Sequence, residues 1–196
     1  MSTTTLIVII VVVVVVVLLL ALFFASRRRA AQRSEEQRER SREEFGSEYE
    51  RTAEERGSEE EAERELRERR GRVERQVEPI SEESRGRYEE QWGEVERVFV
   101  DNPQRSIEMA DRTVSDILNE RNFVADAGQS DEETERSLAV MHPDVADDYR
   151  EARRIRAEVV ARSAGRADEG SNGESTEELR QAIGKYRAVY ERLVTE

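Results

Sequence analysis

His142 is the only histidine of the chain, so any proton transfer near neutral pH or any imidazole–metal bond would have to use it. It stands in His-Pro-Asp with no glutamate three residues before it, and no second histidine can complete a zinc or di-iron site. A Ser–His nucleophile would need this same histidine, and no serine sits in an elbow motif. His142 therefore reads as a helix cap. Asp144, Asp147, Asp148 and Glu151 share one helical stripe, and Asp131, Glu132, Glu133 and Glu135 crowd another helix start. They lack EF-hand spacing, and acids near a helix N-terminus complement its dipole, so both read as solvated faces. Gly165 to Gly170 has the spacing of a phosphate loop, but Ser171 and Asn172 follow where Lys and Ser/Thr are required. The expectation is a non-enzymatic protein with no cofactor and no metal.

The sharpest feature is elsewhere. Residues 6–25 are twenty apolar residues without a charge, followed by Arg27, Arg28, Arg29 and Arg33. At about 1.5 Å per residue such a segment spans the roughly 30 Å hydrocarbon core, and lipid forces it to be helical despite its valines. A cleavable signal peptide would need a basic start, a shorter apolar stretch and small residues at the cut. Residues 1–5 carry no base, and Phe23 and Phe24 crowd the cleavage position. The reading is a transmembrane helix with the short tail 1–5 outside and the long remainder cytoplasmic, by the positive-inside rule. The bilayer is the implied partner, and the four arginines can also hold anionic headgroups at about 1 kcal/mol each.

The net charge is −13, unevenly placed. Residues 26–78 hold 15 Arg against 17 Glu, while Ser81 onward holds 17 basic and 28 acidic residues. An acidic distal part repels phosphate backbones, which excludes nucleic acid as the expected partner. The absence of cysteine removes disulfides and thiolate chemistry.

All apolar spacing in the remainder is helical. A charged helical stalk is expected over 26–80, with the thin stripe Phe45, Tyr49, Ala53, Leu66, Val73, Val77 and Ile80, and with Gly46, Gly57 and Gly71 as weak points. The Leu66–Ile80 seam allows homo-oligomer formation. Ser81 can cap a helix carrying Trp92, Val95 and Phe99. Asn102-Pro103 can start another with Ile107, Val114 and Leu118. Val145, Tyr149 and Ile155 mark a further seam. These make a helical bundle domain over 81–163. A polar loop over 164–174 precedes a last amphipathic helix over 175–196, capped by Ser175 and carrying Leu179, Ile183 and Tyr186. The fold class is all-α.

FGSEYER (45–51), RYEEQWGEVERVFVDNP (87–103), HPDVADDYREA (142–152) and TEELRQAIGKYRAVYERLV (176–194) resemble a family of uncharacterised bacterial membrane or secreted helical proteins. Its members carry FGxEY, WxxVxxxFVDxP, HPxVxxxYRxA and LRxAxxxYRxxFxxL in the same order. Ser47 replaces the family's proline and Tyr190 its phenylalanine. The resemblance implies a shared fold and carries over no functional residue. The functional expectation is a membrane-anchored module for protein–protein contact or scaffolding, its partner unknown. The alternatives are a ligand- or cation-responsive sensor and an exported envelope protein.

Overall fold

The computed structural model describes residues 35–123, 131–165 and 172–195, and among them all regular structure is helical. The helices are α1 (35–45), α2 (Ser47–Arg56), α3 (Glu59–Val73), α4 (Glu82–Asp101), α5 (Pro103–Glu120), α6 (Asp131–Met141), α7 (Pro143–Gly165) and α8 (Asn172–Thr195). Residues 6–25 and Arg27, Arg28, Arg29 and Arg33 lie outside the described residues. Among those described, no helix is long and apolar enough to cross a membrane.

The chain divides into two units, 1–44 and 45–196. The boundary falls at Phe45, not at Ile80, which corrects the extent of the stalk. Phe45, Tyr49, Leu66, Val73 and Ile80 are buried in the same core as the distal helices. The thin stripe suffices because two short helices fold back on each other, each contributing a few apolar residues to one shared interior. The residues expected to pair stalk with stalk are therefore already covered, Val77 included in part.

The glycines make this turn-back possible. Gly46 (φ +54°, ψ −135°) and Gly57 (φ +68°, ψ 13°) occupy backbone regions that side chains avoid. Gly46 separates α1 from α2, and its carbonyl accepts from Tyr49 N at 3.2 Å. Gly57 ends α2 in the left-handed conformation, its N–H bonded to Ala53 O at 2.8 Å. Ser58 then caps α3.

Two anticipated starts are present: Ser81 Oγ accepts from Ser84 N, and Asn102 Oδ1 accepts from Arg105 N, each at 3.0 Å, with Pro103 in the first turn. The end of α5 was not anticipated. Asn122 adopts φ +58°, Phe123 N bonds Leu118 O at 2.9 Å, and Asn122 N bonds Asn119 O at 3.0 Å. This is a Schellman stop, and Phe123 and Leu118 are both buried, as its accompanying apolar contact requires. The last loop is also shorter than expected. α7 runs to Gly165 and α8 begins at Asn172, so Ser175 lies inside α8; Ser130, which with Glu133 three residues on has the spacing of a capping box, lies outside the described residues.

Neighbouring helices follow the order α4–α5–α8–α7–α6–α3–α2, with α5 also meeting α7. Of the expected core residues, Trp92, Val95, Ile107, Val114, Leu118, Val145, Tyr149, Ile155, Leu179 and Tyr186 are buried, while Phe99 and Ile183 pack half-buried at its edge.

Gly46→Ala is expected to destabilise the protein by about 1–3 kcal/mol, because it forces a side chain into a region reserved for glycine. Asn122→Gly is expected to be neutral or stabilising by a few tenths of a kcal/mol. Urea titration of each variant checks both.

Candidate functional site

Two clusters of charge are embedded where helices meet. In the first, Glu48 on α2 is 2 % exposed. Its carboxylate accepts from Arg51, one turn on, and from Arg150 Nη2 on α7 at 3.0 Å. Arg69 on α3 faces it at 3.7 Å, bonds Glu65 at 3.0 Å and reaches Glu133 on α6 at 3.9 Å. Arg150 also holds Asp147, which accepts from Ser47 Oγ at 2.8 Å. Four helices thus share one ionic network. Burial pushes the Glu48 carboxyl above its ordinary value, and the guanidinium groups of Arg51, Arg150 and Arg69 pull it back only in part.

In the second cluster, Asp111 on α5 accepts from Tyr186 Oη on α8 at 2.8 Å. Arg156 Nη1 on α7 lies 3.0 Å from its other oxygen, and Arg153 Nε is 3.7 Å away. Arg153 continues to Asp131 and to Glu135 at 3.3 Å, and lies over the Tyr149 ring at 5.6 Å. Burial raises the Tyr149 phenol to about 12, and burial with the neighbouring Asp111 charge raises Tyr186 as well. Both phenols stay protonated near neutral pH, so neither is poised for acid–base work.

His142 is placed otherwise than its reading as a cap. Its backbone does end α6 and begin α7: N–H donates to Leu138 O at 2.7 Å, and its carbonyl accepts from Val145 and Ala146. The ring, however, is buried against Phe123 with centroids 5.7 Å apart, and Nδ1 accepts from Arg192 Nε at 3.3 Å. Asp144 lies 3.6 Å from the same Arg192 nitrogen.

The two acidic clusters are each tied to cations. Asp147 pairs with Arg150, Asp148 with Lys185 and Glu151 with Arg154. Asp131, Glu132, Glu133 and Glu135 pair with Arg153, Arg136, Arg69 and Arg153. Among the described residues no group of three or more acidic or histidine side chains is placed to hold a metal ion. Trp92 stacks on Tyr190 with centroids 4.6 Å apart and planes at 12°, while its indole N–H donates to Glu96 at 3.2 Å. That pair joins α4 to α8.

Two surface grooves lie along helix pairs. One, of about 330 Å³, is lined by Arg56, Glu61, Arg64, Glu65, Glu68 and Arg72. The other, of about 220 Å³, lies between α4 and α5, with Met109 and Thr113 at its wall and Glu94, Arg112 and Asp116 around it.

Glu48, Arg69 and Asp111 carry no signal in the sequence that sets them apart from dozens of other charged residues. Glu48 alone has a neighbour that marks it: it precedes the core aromatic Tyr49 in the first turn of α2. No family model, no curated protein and no solved structure matches the chain.

Arg69→Met is expected to cost about 3–5 kcal/mol, as breaking one side of a buried ion pair does. Glu48→Gln is expected to cost less, since Arg69 and Arg150 keep Glu65 and Asp147. Denaturant titrations at pH 7 test this ranking. The raised carboxyl of Glu48 also has a pH signature with a definite sign. Its contribution is fully present below the unfolded value of about 4.3 and is lost as pH rises through the folded value. The stability of wild type relative to Glu48→Gln should therefore increase as pH falls from 7 toward about 4.3, measured by urea titration across that range.

Proposed function

We propose that this protein is a non-enzymatic, single-pass membrane protein that holds a small helical domain at the cytoplasmic face for contact with other proteins. One observation carries the reading: twenty uncharged apolar residues, 6–25, followed directly by Arg27, Arg28 and Arg29. Length matches the bilayer core, and the basic flank assigns its own side to the cytoplasm. The anionic leaflet attracts those arginines. The acidic distal part, with 17 basic against 28 acidic residues from Ser81 onward, is repelled by the same leaflet and by nucleic acid.

Support for a contact role comes from what the interior is made of. The embedded polar groups are paired carboxylates, guanidinium groups and protonated phenols, arranged to join helices to one another. The aromatic side chains Trp92, Tyr149 and Tyr186 are packed in the core. A densely charged exterior suits a protein whose partners recognise surface shape and charge. The resemblance to bacterial membrane or secreted helical proteins fits the same role.

Paired C-terminal fusions, one to a reporter active only in the cytoplasm and one to a reporter active only outside it, test the topology. The expected result is activity of the cytoplasmic reporter alone, in the membrane fraction. Removing residues 6–25 is expected to move the protein to the soluble fraction. Replacing Arg27, Arg28 and Arg29 with glutamate is expected to produce mixed topology. An active exterior reporter on the unaltered protein overturns the cytoplasmic assignment in favour of an envelope role.

A further inference from the structure

The α2–α3 hairpin and the rest of the folded unit are held together by two kinds of contact, and they differ from one end of the unit to the other. α4, α5, α7 and α8 meet mainly through aliphatic and aromatic side chains, with Ile107, Val114, Ile117, Tyr186, Val189 and Leu193 all buried, and the Asp111 cluster lies at the edge of that apolar contact. The hairpin packs on itself, on α6 and on the start of α7. There much of the seam is ionic. Glu48 meets Arg150, Arg69 reaches Glu133, Glu55 accepts from Arg136 at 3.3 Å, and Ser47 donates to Asp147. The Nε atoms of Arg69 and Arg150 are buried in this seam without a hydrogen-bond acceptor.

A buried ionic seam holds less firmly than an apolar one of equal size, because the lost hydration of each charge offsets most of the attraction. Opening rehydrates every charge in it. The apolar contribution of the hairpin to the interior is small and concentrated in Tyr49, Ala62, Leu66 and Val73. Both ends of the hairpin are turns, at Gly46 and across residues 74–81, where Glu78 N bonds Arg121 O at 3.1 Å. A segment with few apolar contacts, charged attachments and turns at both ends is the kind that opens as a cooperative sub-unit below the global unfolding free energy.

We infer that the α2–α3 hairpin is a displaceable cover, which opens from α6 and α7 as a unit while α4, α5, α7 and α8 stay packed. The closed form hides Phe45, Tyr49 and Leu66. The open form exposes them, so release of the hairpin presents an apolar surface that the closed form covers. Charged groups face the seam from every element that meets there: Glu48, Arg51 and Glu55 on α2, Glu65 and Arg69 on α3, Glu133 and Arg136 on α6, and Asp147 and Arg150 on α7. This device does not depend on residues 6–25 anchoring the chain.

Native-state hydrogen exchange read by mass spectrometry on the full-length chain in detergent micelles tests it. In the unaltered protein, amides of α2 and α3 are expected to show protection at least tenfold lower than those of α5 and of α8 from Thr176 on. Arg69→Gln is expected to lower protection of the hairpin by a further tenfold or more, with α5 and α8 remaining the better protected helices. A single protection level shared by all these helices in the unaltered protein would overturn the inference. So would a variant that folds and leaves protection of the hairpin as it is in the unaltered protein. The unaltered protein alone decides the matter if the variant does not fold.

Discussion

The last helix, α8, carries Leu179, Ala182, Tyr186, Val189 and Leu193 at three- and four-residue steps, all buried. A stripe of that width cannot be covered by one neighbour. It takes α5 on one side and α7 on the other, and the remaining helices are placed by those two. α4 follows α5 across the Asn102-Pro103 start, and α6 precedes α7 across the His142-Pro143 junction. Tyr186 sits at the meeting point, edge-on to Tyr149 at 6.4 Å with its hydroxyl on Asp111. Arg121 then fastens the far end: it is buried, and it donates to Leu193 O at 2.9 Å and to Glu78 O at 3.4 Å. One guanidinium so satisfies a carbonyl at the end of α8 and another in the turn between α3 and α4, groups that the helices themselves leave open.

Arginine rather than lysine is what lets this charge density be absorbed. A planar fork with five donors can serve two or three carboxylates at once. Arg153 serves Asp131, Glu135 and Asp111, Arg69 serves Glu48, Glu65 and Glu133, and Arg154 serves Glu151 and Glu158. Most exposed pairs, such as Arg180 with Glu177, contribute about 0–1 kcal/mol. The embedded ones act differently. Because an unpaired charge at Glu48 or Asp111 would be costly, helices that misalign lose the partner, and the networks select one register among the many that an apolar stripe would tolerate.

Much of this architecture was legible in the residues alone. Helical spacing marked every long helix from α4 onward, and Ser81, Asn102 and Pro103 marked their starts through local backbone chemistry that needs no tertiary partner. The Asn122 stop was missed because asparagine at a left-handed position looks like any other polar residue until the chain turns. The core positions followed from periodicity, with Phe99 and Ile183 falling at the edge, where spacing cannot distinguish rim from centre.

The apolar segment 6–25 and the helical spacing of the remainder are properties of composition and spacing, so the sequence by itself determined them. Whether residues 45–80 stand apart or join the core was decided only by tertiary structure. A segment with so few apolar residues is ambiguous locally, and only partners distant in sequence, on α6 and α7, make its burial favourable. The same holds for Glu48 and Asp111. A charge reads as solvent-facing in sequence, and it becomes structural only when arginines on other helices reach it, Arg69 and Arg150 for Glu48 and Arg153 and Arg156 for Asp111.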